Sequence, residues 1–253
     1  TIQFEVTDSI GGREIVEGIS KMHDSLTELK QEVLEANLEL VRKGLVVSTF
    51  GNASGITQDR KFVVIKPSGV DYSALKSEDL VVTDLEGNVV EGTLRPSSDL
   101  PTHLVLYRSF PQVGGVAHTH SRFATSWAQA GLEIPCFGTT HADYFHGPVP
   151  VTAPMQPYEI ENEYERNTGN VIARRFADLD PTRFPSVLVS GHGPFSWGAS
   201  AGEAAHTAVL LEEIARIALY TVSLNPDATP ISSALLDKHF LRKHGPEAYY
   251  GQK

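Results

Sequence analysis

The chain contains 253 residues, of which 41% are hydrophobic, so it can build one large core or two modest ones. Acidic residues number 31 against 21 basic ones, and the resulting net charge of -10 argues against a nucleic-acid partner. No run approaches the ~18 to 20 consecutive apolar residues that cross a bilayer, and residues 1–10 lack a secretory signal pattern. Cys136 is a single cysteine and cannot form an intrachain disulfide. We therefore expect a soluble, cytoplasmic protein with no membrane partner.

The N-terminal part predicts one helix behind an arm. Residues 1–24 show no sustained hydrophobic period, so we interpret them as an arm of unknown role and expect the main domain over residues 25–253. Ser25 and Glu28 form a capping-box pattern, and apolar residues at helical spacing continue until Gly44 supplies a stop signal.

Short β-branched runs predict the first strands. They lie at residues 45–48, 62–65 and 80–83, and the last is expected to pair with Val89 and Val90 across a turn. Residues 51–55, rich in Gly, Asn and Ser, are predicted to form a turn between the first two strands. These strands indicate an antiparallel sheet.

Helices and strands interleave in the remainder of the chain. Pro101 suits the start of a helix over residues 102–110, and Ser121 is a candidate cap for a helix that ends near Gly131. A longer helical segment contains Gly169, so it is predicted to be either one broken helix or two separate pieces. A capping box precedes the helix with the strongest helix-forming composition. The remaining predictions are strands at 113–117 and 186–190, the broken helical segment at 158–176, the capping box at 200–203, its helix at 204–220, and a break at 225–230. Without repeats or long linkers, this order predicts a single α/β domain.

His118 and His120 suggest a metal site. They flank Thr119 at the end of a predicted strand, where side chains two positions apart point to the same face. Two imidazoles that converge on one point suit a transition metal. The pattern alone fits two surface histidines equally well.

Further ligands follow other predicted elements. His192 comes after the predicted strand at 186–190, and its glycine neighbours leave space beside the imidazole. Asp99 lies where a loop meets a helix start, so it is either a fourth ligand or an ordinary N-cap. Three other histidines compete on spacing alone: His103, His141 and His146.

Three short segments offer small residues and backbone amides that can approach an anion closely: Gly51-Asn52, Lys66-Pro67-Ser68-Gly69 and Ser97-Ser98. Each alone is typical of a turn, and none matches a P-loop or a dinucleotide-binding pattern. They point to a phosphate site only in combination with the candidate metal ligands.

Several sequence motifs together resemble those of a known protein family. They are Phe50-Gly51-Asn52, Ile65-Lys66-Pro67-Ser68-Gly69-Val70-Asp71-Tyr72, Pro96-Ser97-Ser98-Asp99, His118-Thr119-His120-Ser121, Gly138-Thr139-Thr140-His141-Ala142-Asp143-Tyr144, His192-Gly193-Pro194-Phe195, Lys243-His244-Gly245 and Tyr249-Tyr250-Gly251-Gln252. In this order, from about Leu26 to the C-terminus, they resemble the L-ribulose-5-phosphate 4-epimerase family of the class II aldolase and adducin superfamily.

The resemblance implies a role for each matching residue. The implied metal ligands, usually for zinc and alternatively for manganese or cobalt, are Asp99, His118, His120 and His192. The implied substrate-binding residues are Gly51, Asn52, Lys66, Ser68, Gly69, Ser97, Ser98 and His239. The implied acid/base pair is Asp143 and Tyr250.

The resemblance also implies a fold, an assembly and a reaction. The fold is an α/β/α class II aldolase-like domain with a central, largely antiparallel sheet flanked by helices. The assembly is a homotetramer in which Tyr250 serves a neighbouring subunit. The reaction inverts C4 of a ketopentose 5-phosphate by retro-aldol cleavage and re-addition, because the C4 proton is not acidic enough for simple removal.

Two other functions share parts of this pattern. A class II sugar-phosphate aldolase would use the same metal and phosphate sites, but fuculose-phosphate-type aldolases have Glu at the position of Asp99 and lack the C-terminal Tyr-Tyr-Gly-Gln. A non-catalytic adducin-like scaffold is not expected to keep the complete ligand set. Both comparisons favour the epimerase.

Overall fold

The structure is a computed structural model that describes the backbone of residues 10–250 and the side chains of residues 25–250. Within that part of the chain, helices and strands interleave in the order α1 (Ile10–Arg42), β1 (Asn52–Ile56), β2 (Phe62–Ile65), β3 (Val81–Asp84), β4 (Val89–Glu91), α2 (Leu100–Ser109), β5 (Gly115–His118), α3 (Arg122–Ala130), α4 (Thr139–Ala142), α5 (Pro157–Glu161), α6 (Tyr164–Arg175), β6 (Ser186–Val189), β7 (Gly193–Gly198), α7 (Ala201–Leu224) and α8 (Ser233–His244).

The strands form one seven-stranded sheet in the order β4-β3-β2-β1-β5-β7-β6. Every neighbouring pair is antiparallel, including the predicted pairing of β3 with β4. The predicted α/β fold with a central antiparallel sheet is therefore confirmed.

Helices cover both faces of the sheet. Successive residues of a strand point to opposite faces, so each face presents side chains that pack against helices. Val63 and Ile65 pack with α2 and α6 on one face. Val64, between them, packs with α1 and α7 on the other face. The result is an α/β/α sandwich. None of the helices in the described range is long and apolar enough to span a membrane.

Helix α1 begins earlier than the sequence predicts. It starts at Ile10, so Ser25 lies inside the helix and does not cap it. The expected domain boundary after residue 24 therefore falls within α1, and residues 1–9 lie outside the described range.

Two of the predictions near β1 are wrong. Residues 45–48 form no strand, since β1 is already paired with β2 on one side and with β5 on the other. Residues 51–55, predicted as a turn, are mostly β1. Their small side chains let α1 approach closely, because a Cβ at Gly55 would lie 2.8 Å from Cδ1 of Leu29.

The predicted helical segment over residues 158–176 is two helices, α5 and α6. The break lies at Glu163, whose φ is 46°, and not at Gly169. Gly169 lies inside α6 and allows this helix to pack on α2, since a Cβ there would lie 2.6 Å from Cβ of Val105. Sequence reasoning missed β7 and α8 entirely.

The helix caps agree with prediction in part. Ser200 precedes α7 and its Oγ accepts the backbone N–H of Glu203, as the capping box predicts. Ser121 precedes α3, but its side chain makes no capping hydrogen bond. The Glu212 carboxylate accepts the first N–H groups of α3 instead, from Phe123 and Ala124.

Candidate functional site

The candidate site lies at one end of the sheet, where β1 and β7 begin and β5 ends. In the register of these strands, His118 stands between Asn52 on β1 and Phe195 on β7. His192 lies one residue before β7, in a turn that contains Gly191 at φ +73°. The antiparallel pairing thus places Asn52 and Phe195, which are 143 positions apart in the sequence, on the two sides of His118.

Three histidines converge at this end of the sheet. Ligand nitrogens of His118, His120 and His192 all lie within 4.8 Å of one another. The Nε2 atoms of His118 and His120 are 3.0 Å apart, as expected for side chains two positions apart at a strand end. The structure therefore brings together the three histidines that sequence analysis selected.

Contacts behind the rings orient two of these imidazoles. His118 is buried, stacks on Phe195 with 4.1 Å between ring centroids, and places Nδ1 2.9 Å from the Pro194 carbonyl oxygen. Nδ1–H therefore donates to that carbonyl, which leaves the Nε2 lone pair facing the cluster. The Tyr164 hydroxyl lies 3.5 Å from Nδ1 of His192.

The electrostatic environment keeps two of these rings neutral at physiological pH. Burial, together with the charges of the neighbouring histidines, lowers the pKa of His192 to about 3. Burial and His118 also lower the pKa of His120. Neutral imidazole is the form that binds metal ions.

Asp99 lines the same cleft, but its carboxylate oxygens are not among the ligand atoms that all lie within 4.8 Å of one another. Burial alone would raise the pKa of its carboxyl, but nearby His118 and His103 and a hydrogen bond from Asn52 lower it overall. The Asn52 amide donates to Oδ2 of Asp99 at 2.6 Å. Asp99 precedes α2, yet its side chain makes no capping hydrogen bond, so the simple N-cap interpretation does not hold.

The competing histidines have other contacts. His103 is fully buried and its Nδ1 lies 2.7 Å from Oγ of Ser54. His141 contacts the Gly147 carbonyl oxygen through Nε2 at 2.8 Å. His146 pairs with Asp237. None of the three lines the cleft.

The cleft beside the histidines has a volume of about 290 Å³. Its walls contain all three segments that sequence analysis assigned to anion binding. These lining residues are Gly51, Asn52, Lys66, Ser68, Gly69, Ser97 and Ser98. A bridge between Pro67 and Pro96 brings the second and third segments side by side.

Two glycines shape this cleft through positive φ angles. Gly51 has φ +115°, and a Cβ there would lie 2.9 Å from the carbonyl oxygen of His118. Gly69 has φ +69° and faces open space, with no heavy atom within 4 Å of an added Cβ. Only glycine adopts these conformations without strain, and both leave the backbone accessible to a ligand.

Lys66 and Tyr72 support the loops from behind. The Lys66 ammonium donates to the Val70 carbonyl oxygen at 2.8 Å and lies 4.5 Å from the centre of the Tyr72 ring. Burial lowers the pKa of Lys66. The Tyr72 hydroxyl donates to the Gly51 carbonyl oxygen at 2.7 Å. Sequence analysis gave Tyr72 no role, although Tyr72 ends the longest of the family motifs, at residues 65–72.

Asp143 and Tyr250 form a second polar cluster with the end of α8. Asp143 accepts hydrogen bonds from Arg242 at 2.8 to 3.1 Å and lies 3.0 Å from Nδ1 of His239. Tyr250 stacks under Arg242, with 4.7 Å from the guanidinium carbon to the ring centre. Asp143, Tyr250 and His239 do not line the cleft of their own chain. Arg242 was missed by sequence analysis, which made no prediction of α8.

The donor set fits a divalent metal ion. It consists of three imidazoles with one Nδ1 fixed by a carbonyl, next to a carboxylate held ionised by its surroundings. Histidine nitrogen with carboxylate oxygen is a ligand combination that zinc and related transition metals accept. In addition, Oδ1 of Asn52 is buried in the cleft wall without a hydrogen-bond partner.

Comparison with known proteins agrees with this geometry. The profile of the class II aldolase and adducin N-terminal domain matches residues 31–219. L-ribulose-5-phosphate 4-epimerase UlaF of Salmonella paratyphi A (strain ATCC 9150 / SARB42) is 53% identical over 228 residues, which cover 90% of this chain and 100% of that protein.

Solved structures show the same fold. An L-fuculose 1-phosphate aldolase has a TM-score of 0.71 at 24% identity, covering 84% of this chain and 94% of the aldolase. L-fuculose-1-phosphate aldolase from Thermus thermophilus has a TM-score of 0.63 at 25% identity, covering 79% of this chain and 98% of that one. With its sheet, its histidine cluster and its close relative, the chain belongs to the class II aldolase and adducin family.

Proposed function

We propose that the protein is an L-ribulose-5-phosphate 4-epimerase, which interconverts L-ribulose 5-phosphate and D-xylulose 5-phosphate. The observation that carries this proposal is a single cleft in which three converging histidines adjoin loops suited to a phosphate group. The relative that is 53% identical bears this name, which supports epimerisation over other reactions of the family.

The substrate dictates the type of reaction. C4 of a 2-ketopentose is not adjacent to the carbonyl, so its proton is not acidic and direct removal cannot invert the centre. Cleavage of the C3–C4 bond leaves the electron pair on C3, as the enediolate of a three-carbon fragment, and forms glycolaldehyde phosphate as the second fragment. Rotation of its aldehyde group, followed by re-formation of the bond, gives the epimer.

The loops of the cleft hold the phosphate end during this rotation. Open backbone at Gly69 and the hydroxyls of Ser68, Ser97 and Ser98 supply hydrogen-bond donors, with Lys66 as the cation behind them. One anchored end keeps the fragment in the site while its other end turns. Without this anchor, the aldehyde would leave and the reaction would be an aldol cleavage.

His118, His120 and His192, together with Asp99, would hold a divalent cation, for which zinc is our first choice and manganese or cobalt an alternative. When bound, the cation supplies Lewis acidity that stabilises the negative charge left by C3–C4 cleavage. Asn52, which donates to Asp99, keeps that carboxylate turned toward the cleft.

Asp143 and Tyr250 are the proposed acid/base pair for the C4 oxygen. This oxygen loses a proton on cleavage and regains one after the aldehyde has turned, so two groups in different directions are required. Both residues lie outside the cleft of their own chain, which supports a homotetramer in which a neighbouring subunit supplies them, with His239 as an additional substrate contact. A single cysteine, which cannot form an intrachain disulfide, fits a reducing compartment, and we therefore propose a cytoplasmic location.

The test is a coupled assay on metal-loaded protein with L-ribulose 5-phosphate, which reads D-xylulose 5-phosphate and free glycolaldehyde phosphate together. We expect metal-dependent epimer without accumulation of the aldehyde. Aldehyde as the main product would identify an aldolase instead. Neither product, with metal bound, would mean that the substrate assignment is wrong.

Tyr250→Phe tests the acid/base assignment. Loss of a general acid/base costs about 10²- to 10⁴-fold in rate, so we expect most of the epimerisation to disappear while the metal content stays at one ion per chain. Tyr249→Phe removes the neighbouring hydroxyl and is the matched control. Near-normal turnover of Tyr250→Phe would contradict the assignment.

A further inference from the structure

The guanidinium group of Arg242 contacts both members of the proposed acid/base pair. Its Nε and one terminal nitrogen donate to Oδ1 of Asp143 at 3.1 and 2.9 Å, and the same terminal nitrogen lies 2.8 Å from Oδ2. The guanidinium also lies over the Tyr250 ring. The fixed planar fork of arginine suits this double contact, which a lysine cannot reproduce.

The main chain adds a further connection. The carbonyl oxygen of Arg242 accepts the N–H groups of Tyr249 and Tyr250 at 3.0 and 3.2 Å. The segment after α8 is therefore folded back onto the residue whose side chain holds Asp143. The two proposed catalytic groups, 107 positions apart in sequence, share one partner.

We infer that Arg242 is a positioning residue, which fixes the Asp143 carboxylate and the Tyr250 ring in one unit at the end of α8. This inference rests on the proposed function, since it assigns these two residues to the same reaction. The unit then approaches the substrate as a whole, and the distance between the two groups is set before the substrate binds.

Other charged groups face Asp143 and share in its electrostatics. His239 and Lys243 lie on the same face of α8, with Lys243 Nζ 3.6 Å from Oδ2, and His244 contacts the Asp143 carbonyl oxygen. Burial raises the pKa of Asp143, but the hydrogen bonds from Arg242 and His239 and the charge of Lys243 lower it overall. Loss of Arg242 therefore raises the pKa of Asp143.

A merely structural role would be to hold α8 against the body of the protein. That attachment has another contributor, because Asp237 on α8 pairs with His146 at 2.6 Å without contacting Asp143 or Tyr250. Asp237→Asn weakens this second attachment and leaves the Arg242 contacts in place. It is therefore the matched control for a loosened helix.

The experiment compares Arg242→Met, Arg242→Lys and Asp237→Asn in the full-length, metal-loaded protein. For Arg242→Met we expect kcat to fall by about tenfold or more with little change in KM, and the acidic limb of the kcat/KM profile to move to higher pH. Arg242→Lys should recover the acidic limb in part but little of kcat. Asp237→Asn should keep both near the wild-type values.

A carbon-13 NMR titration of the Asp143 carboxyl separates this inference from the proposed function, because it needs no turnover. An upward shift of the Asp143 pKa in Arg242→Met supports the positioning role even if the wild-type protein proves inactive as an epimerase. An unchanged titration, or equal losses of kcat in Arg242→Met and Asp237→Asn, would overturn it. If Arg242→Met does not fold, the same comparison with Arg242→Lys decides.

Discussion

A buried amide on α1 completes the sheet beside the site, and its removal gives a prediction that the structure makes quantitative. The β1–β2 ladder begins at Ser54, so Ala53 has no partner on β2. Asn37 takes the place of the missing strand: its Oδ1 accepts the Ala53 N–H at 2.9 Å, and its Nδ2 donates to the Ala53 carbonyl oxygen at 3.0 Å. Asn37 is fully buried, so water cannot replace these bonds.

Asn37→Ala leaves two buried backbone groups of Ala53 unpaired. Each unsatisfied group costs about 1–3 kcal/mol, and the better helix propensity of Ala returns about 0.5 kcal/mol. We therefore expect the free energy of unfolding to fall by about 1.5–5.5 kcal/mol. Because Ala53 adjoins Asn52, whose amide holds Asp99, we also expect weaker metal binding.

Urea denaturation followed by circular dichroism, at one fixed protein concentration, measures this loss. Gln31→Ala on the exposed side of the same helix is the control, and it should change the free energy by no more than about 0.5 kcal/mol. A loss of stability in Asn37→Ala no larger than that of the control would refute the view that this amide completes the sheet.

The remaining predictions concern the cleft. Gly51→Ala should lower zinc affinity, measured by competition with a chromophoric chelator, because the added Cβ would displace the His118 carbonyl. Gly69→Ala should cost only about 1–2 kcal/mol of backbone strain and keep the zinc affinity. Equal zinc affinities of the two variants would contradict this prediction. His120→Asn should weaken zinc binding by about 100-fold or more in the same assay, since it removes one of three converging nitrogens. His146→Asn, which lies outside the cleft, should leave zinc binding unchanged. Unchanged zinc binding in His120→Asn would exclude His120 as a ligand.

Local chemistry in the sequence was sufficient for several elements. The continuous apolar run Phe62-Val63-Val64-Ile65 is typical of a strand with two buried faces, and the Ser200 and Glu203 pair has the spacing of a helix cap. The pair His118 and His120 could be placed on one face because the period of a strand does not depend on its neighbours.

Other elements differ from the prediction because their structure depends on tertiary contacts and not on the local chain. Gly55 and Gly169 look like breakers in isolation, yet each lies inside a regular element where a helix packs too closely for a Cβ. The start of α1 differs for another reason, because the helical signal there is local: Ile15, Ile19 and Met22 continue the three- and four-residue spacing of Leu26 and Leu29.

The sequence by itself determined the residue types of the site: imidazoles two positions apart, small residues with free amides, and a carboxylate at a helix start. The tertiary structure decided which of them meet. His192 joins His118 because β7 pairs with β5, and His103 and His141, equal candidates on spacing, are directed elsewhere by buried hydrogen bonds. It also decided that Asp143 and Tyr250 share Arg242 outside the cleft of their own chain. Distances between residues remote in sequence follow from strand register and helix packing, which no local pattern encodes.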